Sequence, residues 1–311
     1  MNILSRMRSS LRSVLPVKRI EHFAIAIYTG PDPFHLTAPA KIKNPVLTNK
    51  SVTDARALFI ADPFMLYEKG KWYMFAEIYN AGTRLGEIAL ATSSDGMKWT
   101  YRQIVLAESF HMSYPYVFIW EDAFYMLVES RTDSVRLYRA TDFPYRWTHV
   151  KTLLDGADFR DASIFRHDGR WWMFACPGPK DDILNLYYAE DLLGPWHPHP
   201  ANPIVQNDAR IARPSGRVIE WNGRIFRFAQ DDLAYYGHRV WALEVTSLST
   251  TSYQECMATT LPLLEPSGRG WNARGMHHID LHQVSSGQWI ACVDGFKPVF
   301  CRKSDLSEML R

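Results

Sequence analysis

Cysteine is scarce in this chain, and the few residues present follow no recognised spacing. Cys176, Cys256, Cys292 and Cys301 form no CxxC pair and no Cys/His pattern typical of a zinc site. Disulfide frameworks are characteristic of small secreted domains, whereas this chain has 311 residues. We therefore expect reduced thiols and a cytoplasmic protein.

Long apolar runs are also missing. No stretch reaches the roughly 18 apolar residues that a membrane-spanning helix requires. The first 20 residues scatter five basic side chains among Leu, Met and Val, so they lack the apolar centre of a secretory signal. We expect residues 1–20 to form a basic tail. One interpretation is peripheral contact with an anionic membrane surface, and the other is a solvated leader.

Neither sign of charge dominates. The chain has 35 Lys and Arg against 33 Asp and Glu, and no basic stripe alternates with aromatic residues, so we expect no nucleic-acid partner. Phosphate-binding glycine loops and the G-x-S-x-G elbow are absent, and we expect no cofactor. His278, Asp280 and His282 would share one face of a strand, but "HHIDLH" is more simply a polar channel strand, so we expect no metal.

Aromatic residues, by contrast, make up 14% of the chain and recur with a period of about fifty residues. Each unit has an apolar run, a polar turn and an aromatic run, as in "ADPFMLYEKGKWYMFAE" and "RDASIFRHDGRWWMFAC". A third alternating stretch follows, and three units close with a tryptophan that we expect to pack within the blades: Trp99, Trp147 and Trp196. Repeated sheets of about four strands are typical of a β-propeller. The sequence predicts one all-β, five-bladed β-propeller over residues 21–311, with residues 22–30 pairing with the last blade to close the ring.

The five units place a polar or ionisable residue at one equivalent position: Asp62, Tyr114, Asp161, Arg213 and His278. The inner strands of a propeller converge at one mouth, so these side chains should face each other. Buried ionisable groups are costly unless they are paired. The ring is therefore either a functional site or a salt-bridge network, with Asp62–Arg213 or Asp161–Arg213 as the pair.

Further polar residues flank the same strand ends. His111, His277 and Asp280 lie beside the starts of inner strands, and Glu77 and Glu129 end the second strands of units one and two. Any one of them could instead serve the backbone of a loop. Together they predict a polar funnel at one end of the propeller.

Several of these residues carry a family resemblance. "ADPF" in blade one, "RDASIF" in blade three and the paired histidines of blade five resemble glycoside hydrolase family 43 and its relatives. The resemblance implies Asp62 as general base, Asp161 as the residue that tunes the acid, and a blade-four glutamate as proton donor, since glycoside cleavage needs both a base and an acid. This chain has Arg213-Pro214 where those hydrolases have Glu-Gly-Pro, and arginine cannot donate that proton. Glu129 would serve as the acid only in a rearranged site.

A closer resemblance covers nearly the whole chain. "NPVLTNKSVTDARALFIADPFML", "HMSYPYVF", "ARPSGR" and "HHIDLHQ" resemble the N-terminal propeller domain of plant glucosamine inositolphosphorylceramide transferases. Stand-alone bacterial proteins of this type are similar and often occur among polysaccharide-assembly functions. The resemblance implies a role on phosphate-linked glycans, which Arg213 would suit because a guanidinium can grip phosphate with two hydrogen bonds.

These observations lead to three functional hypotheses. The first is an enzyme of polysaccharide or glycolipid biosynthesis that transfers or cleaves a glycosyl group, with catalytic roles for Asp62, Asp161 and Glu129. Its glycan or phosphate-linked sugar would contact the remaining funnel residues: Tyr114, Arg213, His278, His111, His277 and Asp280. The second is a non-catalytic glycan-binding propeller, and the third is a scaffold of a glycan-assembly complex.

Overall fold

The runs predicted as strands form strands in the computed structural model, which describes residues 17–285 and 287–302. Antiparallel pairing builds five sheets, and most of their first strands contact the first strand of a neighbouring sheet around a central channel. The helices of this part of the chain are two single 3-10 turns, Asn49–Ser51 and Gly270–Asn272. None of the described helices has the length and hydropathy needed to cross a membrane. The predicted all-β, five-bladed β-propeller is confirmed.

Each blade is a meander that runs from the channel outwards. Blade one comprises β2 (Ala57–Glu68), β3 (Lys71–Asn80), β4 (Leu85–Ser93) and β5 (Thr100–Leu106). Blade two comprises β6 (Met112–Trp120), β7 (Ala123–Ser130), β8 (Ser134–Asp142) and β9 (Arg146–Asp155). Blade three comprises β10 (Phe159–His167), β11 (Arg170–Pro177), β12 (Ile183–Ala189) and the short β13 (His197–Pro198) and β14 (Val205–Gln206). Blade four comprises β15 (Ile219–Trp221), β16 (Arg224–Asp231), β17 (Arg239–Leu248) and β18 (Tyr253–Met257). Blade five comprises β19 (Ile279–Ser285), β20 (Gln288–Arg302) and, from the other end of the chain, β1 (Val17–Gly30).

Tight turns set the register of the inner hairpins. Asp168-Gly169 and Asn222-Gly223 each place two successive residues at positive φ, the backbone that two-residue hairpin loops require because it matches the twist of the strands. Asp-Gly and Asn-Gly are the dipeptides that adopt it most readily. The turn residues in the repeat therefore fix where each first strand ends and each second strand begins.

The ring is closed by β1, as the sequence predicted. It pairs with β20 from Val17↔Arg302 to Gly30↔Trp289, and Ile25 and Ile27 of this strand are fully buried. The strand begins at Val17, four residues before the boundary expected between tail and domain. Residues 1–16 of the predicted basic tail lie outside the described residues.

A β-bulge interrupts the inner hairpin at the same point of blades one to three. The bulged residues Asp62, Tyr114 and Asp161 all have φ near +50°, a region that non-glycine residues rarely adopt. Blade four differs, because Gly216 (φ +119°) approaches blade five so closely that a Cβ would lie 1.7 Å from the carbonyl oxygen of Ile279. Only glycine fits there, and a parallel bridge joins Gly216 to Ile279.

The tryptophans that close three units complete the outer parts of the blades. The indole N–H groups of Trp99, Trp147 and Trp196 donate to carbonyl oxygens of their own turns at 2.9, 3.0 and 3.1 Å. Trp147 is buried in the core shared by blades one to three, and Trp196 packs against its edge.

We predict that the closing strand is part of the cooperative core. Replacing Ile27 by alanine removes fully buried methyl groups and should lower the free energy of unfolding by about 2–5 kcal/mol, measured by urea denaturation. The control Val150→Ala, at a residue that is 43% exposed, should change it by no more than about 0.5 kcal/mol. Equal effects of the two substitutions would contradict a core role for β1.

Candidate functional site

A cavity of about 700 Å³ opens at the end of the propeller where the inner strands begin. Several predicted site residues line it: Asp62, His111, Glu129, Arg213 and His277. Asp161 lies directly behind Arg213 and is 2% exposed. The equivalent positions of blades one, three and four therefore meet at this cavity, as the repeat predicted.

One wall of the cavity is a chain of three polar side chains from blades one and five. Nδ1 of His277 lies 2.7 Å from Oδ1 of Asp294, and its Nε2 lies 3.7 Å from Oδ1 of Asp62. The backbone N–H of Asp62 donates to Oδ2 of Asp294 at 2.9 Å. Asp294 thus orients both the imidazole and the bulge that carries Asp62.

The charges of this wall are strongly coupled. Burial disfavours an imidazolium, but the charge and hydrogen bond of Asp294 outweigh it and raise the pKa of His277 to about 9. Burial would raise the pKa of Asp294, yet His277 lowers it below its usual value. Burial raises the pKa of Asp62 well above its usual value despite the opposing charge of His277, and neighbouring carboxylates raise it further. Asp62 therefore holds a proton more readily than an exposed aspartate.

The opposite wall is built around Arg213. Its Nε donates to Oδ2 of Asp161 at 2.5 Å, its Nη2 lies 3.6 Å from Oε2 of Glu129, and its Nη1 lies 3.4 Å from Oδ1 of Asp181. The Asp161–Arg213 pair that the sequence left open as a structural interpretation is therefore formed. Burial raises the pKa of Asp161 to about 6, against the lowering effect of Arg213.

Side chains and backbone of other blades complete this cluster. Nε2 of Gln230 donates to Oδ2 of Asp161 at 2.6 Å, and the backbone N–H of Asp161 donates to Oε2 of Glu129 at 3.2 Å. Tyr236 covers the cluster, with its ring centroid 5.1 Å from the guanidinium carbon of Arg213. The result is a rigid acid–base cluster contributed by blades two, three and four.

A third polar pair lies between blades one and two. Nδ1 of His111 accepts from the backbone N–H of Gly86 at 2.9 Å, so the ring proton is on Nε2. That atom lies 3.3 Å from Oε1 of Glu77, a carboxylate that is 8% exposed. Both side chains line the cavity, and the strand-end glutamate predicted from the repeat is placed in the site.

The structure does not bring Tyr114, His278 or Asp280 to the cavity. The hydroxyl of Tyr114 lies 2.8 Å from Oγ of Ser163 and also bonds to the backbone of Gly216. Nε2 of His278 donates to the carbonyl oxygen of Pro63 at 3.0 Å, and burial lowers the pKa of His278 to about 4. These rings stack edge to face at 5.3 Å and plug the channel below the cavity.

Asp280, two residues after His278 along the chain, is also fully buried. Its Oδ1 accepts from Nε of Arg217 at 2.7 Å, and its Oδ2 lies 2.9 Å from Nε2 of His282. Burial alone would raise the pKa of Asp280, but Arg217 and His282 together lower it below its usual value. Nη2 of Arg217 also donates to the carbonyl oxygen of Val117 at 2.9 Å, so the group ties several inner strands together.

Sequence reasoning missed three residues of the site: Asp181, Tyr236 and Asp294. Asp294 was detectable, because it lies in the second strand of blade five five residues after Trp289, as Glu77 lies five residues after Trp72 in blade one. Asp181 and Tyr236 lie in loops, where the repeat offers no equivalent position. Only the packing of those loops shows that they reach Arg213.

Among the described residues, one group has ligand atoms close enough together to hold a metal ion: Asp62, His277 and Asp294. Each offers one ligand atom, and these atoms lie within 4.8 Å of one another. A metal-binding histidine often donates its other ring N–H to a carboxylate, which His277 does toward Asp294. At present the three atoms satisfy each other by hydrogen bonding and charge pairing.

Comparison with known sequences identifies clear relatives. The family described as "Glucosamine inositolphosphorylceramide transferase 1, N-terminal" matches residues 22–296. The transferase of that name from Oryza sativa subsp. japonica is 35% identical over 297 residues, covering 88% of this chain and 40% of the relative. The Arabidopsis thaliana protein of the same name is 33% identical over 299 residues, covering 88% and 39%. The chain thus spans about 40% of the length of these relatives.

Solved structures match the fold. A thermostable family-43 glycoside hydrolase has a TM-score of 0.57 and 19% identity, covering 82% of this chain and 91% of the hydrolase. At this identity the likeness supports the propeller architecture alone.

We predict that Asp294 is the charge partner of His277. Replacing Asp294 by asparagine should lower the pKa of His277 from about 9 toward its ordinary value of 6.5, observed by NMR titration of the imidazole ring. Asp32→Asn removes a partly buried aspartate that lies outside the cavity, 2.8 Å from His35, and should leave the pKa of His277 near 9. An unchanged pKa in Asp294→Asn would exclude this pairing.

The same substitution gives a pH-dependent stability change. Because the pKa of His277 is raised by folding, its protonation stabilises the fold fully below pH 6.5. This contribution is lost as the pH rises through about 9. Asp294→Asn should therefore cost about 3–5 kcal/mol near pH 6, with the difference from wild type narrowing above pH 9. A difference that is constant across this range, measured by chemical denaturation, would contradict the coupling.

Proposed function

This chain belongs to the family of the N-terminal region of glucosamine inositolphosphorylceramide transferase 1, and we propose that it is a carbohydrate-active protein. Its cavity would bind a glycan or a phosphate-linked sugar and transfer or cleave a glycosyl group. Biosynthesis of a polysaccharide or glycolipid is the setting that we propose. A cytoplasmic location stays a prediction.

One observation carries the proposal: two walls of buried carboxyl groups face a single cavity large enough for a sugar. Keeping such groups out of water costs several kcal/mol for each ion unless they are well paired, and a stable propeller core does not require them. The pKa of Asp62 and that of Asp161 are both raised. Carboxyl groups with raised pKa values in a cleft are typical of sites that transfer protons.

We assign proton transfer to Asp62. Its carboxyl group is the acid of the cavity that lies beside a charged imidazole rather than a guanidinium. It would accept a proton from a sugar hydroxyl or from water when it is ionised, a state that the nearby His277 favours. Glu129 lines the cavity and would position the sugar, whereas Asp161 would act through Arg213, which it holds in place.

Arg213 and Arg131 would hold the anionic group of a phosphate-linked substrate. Both line the cavity, and Arg131 is exposed at its mouth. A phosphate or nucleotide leaving group departs as a stable anion with help from a cation, so it needs no proton from the blade-four position. This chemistry fits a site in which arginine stands at that position.

A second candidate function is glycan binding without turnover. It is favoured by the ion pairs of Arg213, which already occupy Asp161, Glu129 and Asp181. In that case the carboxylates would serve as hydrogen-bond acceptors for sugar hydroxyls. A scaffold role in a glycan-assembly complex has no such observation in its favour.

We predict that Asp62→Asn abolishes turnover while binding survives. Asparagine keeps the size of the side chain and tolerates the positive φ of this position, so the bulge should persist. Purified wild type and variant would be incubated with sugar nucleotides, phosphorylated oligosaccharides and plain oligosaccharides, with binding measured by calorimetry and products by mass spectrometry. The variant should lose on the order of 10²–10⁴-fold in rate, and the control Asp32→Asn, at a residue outside the cavity, should lose none.

The outcomes separate the candidates. Product formed by wild type and lost in Asp62→Asn supports the enzyme. Binding without product in either protein overturns catalysis and leaves the glycan-binding function. Turnover that persists in the variant overturns the role of Asp62, and the absence of any binding would reject both functions.

A further inference from the structure

The closing strands of the propeller continue beyond blade five. β19 pairs with β20 only as far as Ile279↔Val293, whereas β1 and β20 stay paired to Val17↔Arg302. We call residues 17–22 and 297–302 the terminal ribbon. At its base the carbonyl oxygen of Gly275 accepts from the backbone N–H of Phe296 at 3.0 Å, and Nε2 of His22 lies 2.8 Å from Oδ1 of Asn49.

The terminal ribbon stands at the mouth of the candidate site. Ile20 and Glu21, on its first strand, line the same cavity as Asp62 and Arg213. One rung below the ribbon, Phe23 packs on His277 with ring centroids 4.8 Å apart. Whatever the ribbon binds is therefore held beside the opening through which a substrate enters.

The ribbon presents apolar and basic side chains together. Phe300 is 69% exposed and Val299 is 37% exposed, and Lys297, on the same strand face as Val299, is also exposed. The side chain of Arg19, paired across the ribbon with Phe300, is 43% exposed. Along its two strands the ribbon has four Lys or Arg residues and a single acidic one, Glu21, whose Oε1 lies 3.4 Å from Nη2 of Arg19.

This combination matches an anionic bilayer better than a protein edge. Basic residues on a sheet edge disfavour the addition of another strand, and a free two-stranded ribbon is only marginally stable in water. At a membrane surface the same residues act together, because lysine and arginine are attracted by anionic headgroups while an aromatic ring inserts at the interface.

We propose that the terminal ribbon docks on an anionic lipid bilayer and turns the mouth of the cavity toward the membrane surface. The docking is independent of any reaction. Combined with the proposed function, on which this consequence rests, it would let a glycan held at the bilayer surface reach the cavity directly.

The test uses the full-length chain and vesicles of phosphatidylcholine with or without phosphatidylglycerol, with binding measured by co-sedimentation. Wild type should bind the anionic vesicles, and added salt should weaken the binding. Lys297→Ala should weaken it roughly fivefold, and Phe300→Ser on the order of tenfold. Matched controls are Lys69→Ala, at an 89% exposed lysine of a blade-one hairpin, and Leu261→Ser, at a 73% exposed leucine. Both controls should bind like wild type.

Ribbon variants that bind as well as wild type would overturn the proposal, as would equal binding to neutral vesicles. A change of oligomeric state in Phe300→Ser, seen by light scattering without a change in vesicle binding, would assign the ribbon to self-association instead. Vesicle binding needs no turnover. A loss of vesicle binding in the ribbon variants would therefore support docking even if no glycan product is ever found. Conversely, failure of Asp62→Asn to affect turnover leaves the docking result untouched.

Discussion

The antiparallel ladder between β1 and β20 is the contact on which the rest of the propeller depends. Without β1, blade five would be a bare hairpin with an open edge, and an isolated hairpin is marginal in water. Blade five supplies His277 and Asp294, and β1 itself supplies Phe23, whose ring supports the imidazole. The two ends of the chain therefore have to meet before one wall of the cavity exists.

The carboxyl groups around the cavity are held in place by two cationic side chains, Arg213 and His277. Arg213 is shared by three carboxylates, and the charged His277 stands between Asp294 and Asp62. Removing one partner from such a cluster leaves a buried charge unpaired, which is far more costly than the net stabilisation by the intact pair. The site is thus rigid before any ligand enters, and its proton affinities are set by neighbouring charges rather than by solvent.

A repeated backbone geometry serves different purposes in successive blades. Asp62, Tyr114 and Asp161 occupy the same bulge with the same positive φ, and bulges of this kind are often found beside functional sites, where they redirect a side chain. In blade one the redirected side chain is a carboxylate that lines the cavity, and in blade three it is a carboxylate that lies behind Arg213. In blade two it is a phenol that bonds to Ser163 and Gly216 and closes the channel. The same fold position is functional in one blade and structural in the next.

The repeat period, the turn dipeptides and the aromatic runs are local properties of a sequence. They were enough to predict the number of blades and the closing role of β1. They also predicted that one end of the channel brings together Asp62, Asp161 and Arg213. The depth at which each side chain lies along the channel could not be predicted. Tyr114 and His278 occupy equivalent positions in the repeat, yet their rings turn into the plug, because Gly216 and Pro63 offer them hydrogen-bond partners there. Asp181 and Tyr236 come from loops whose path depends on packing. The repeat and the set of candidate residues follow from local sequence patterns. Tertiary structure alone decided which of them share a cavity and which charges they share it with, because side-chain direction and pairing arise from contacts between blades that are far apart in the chain.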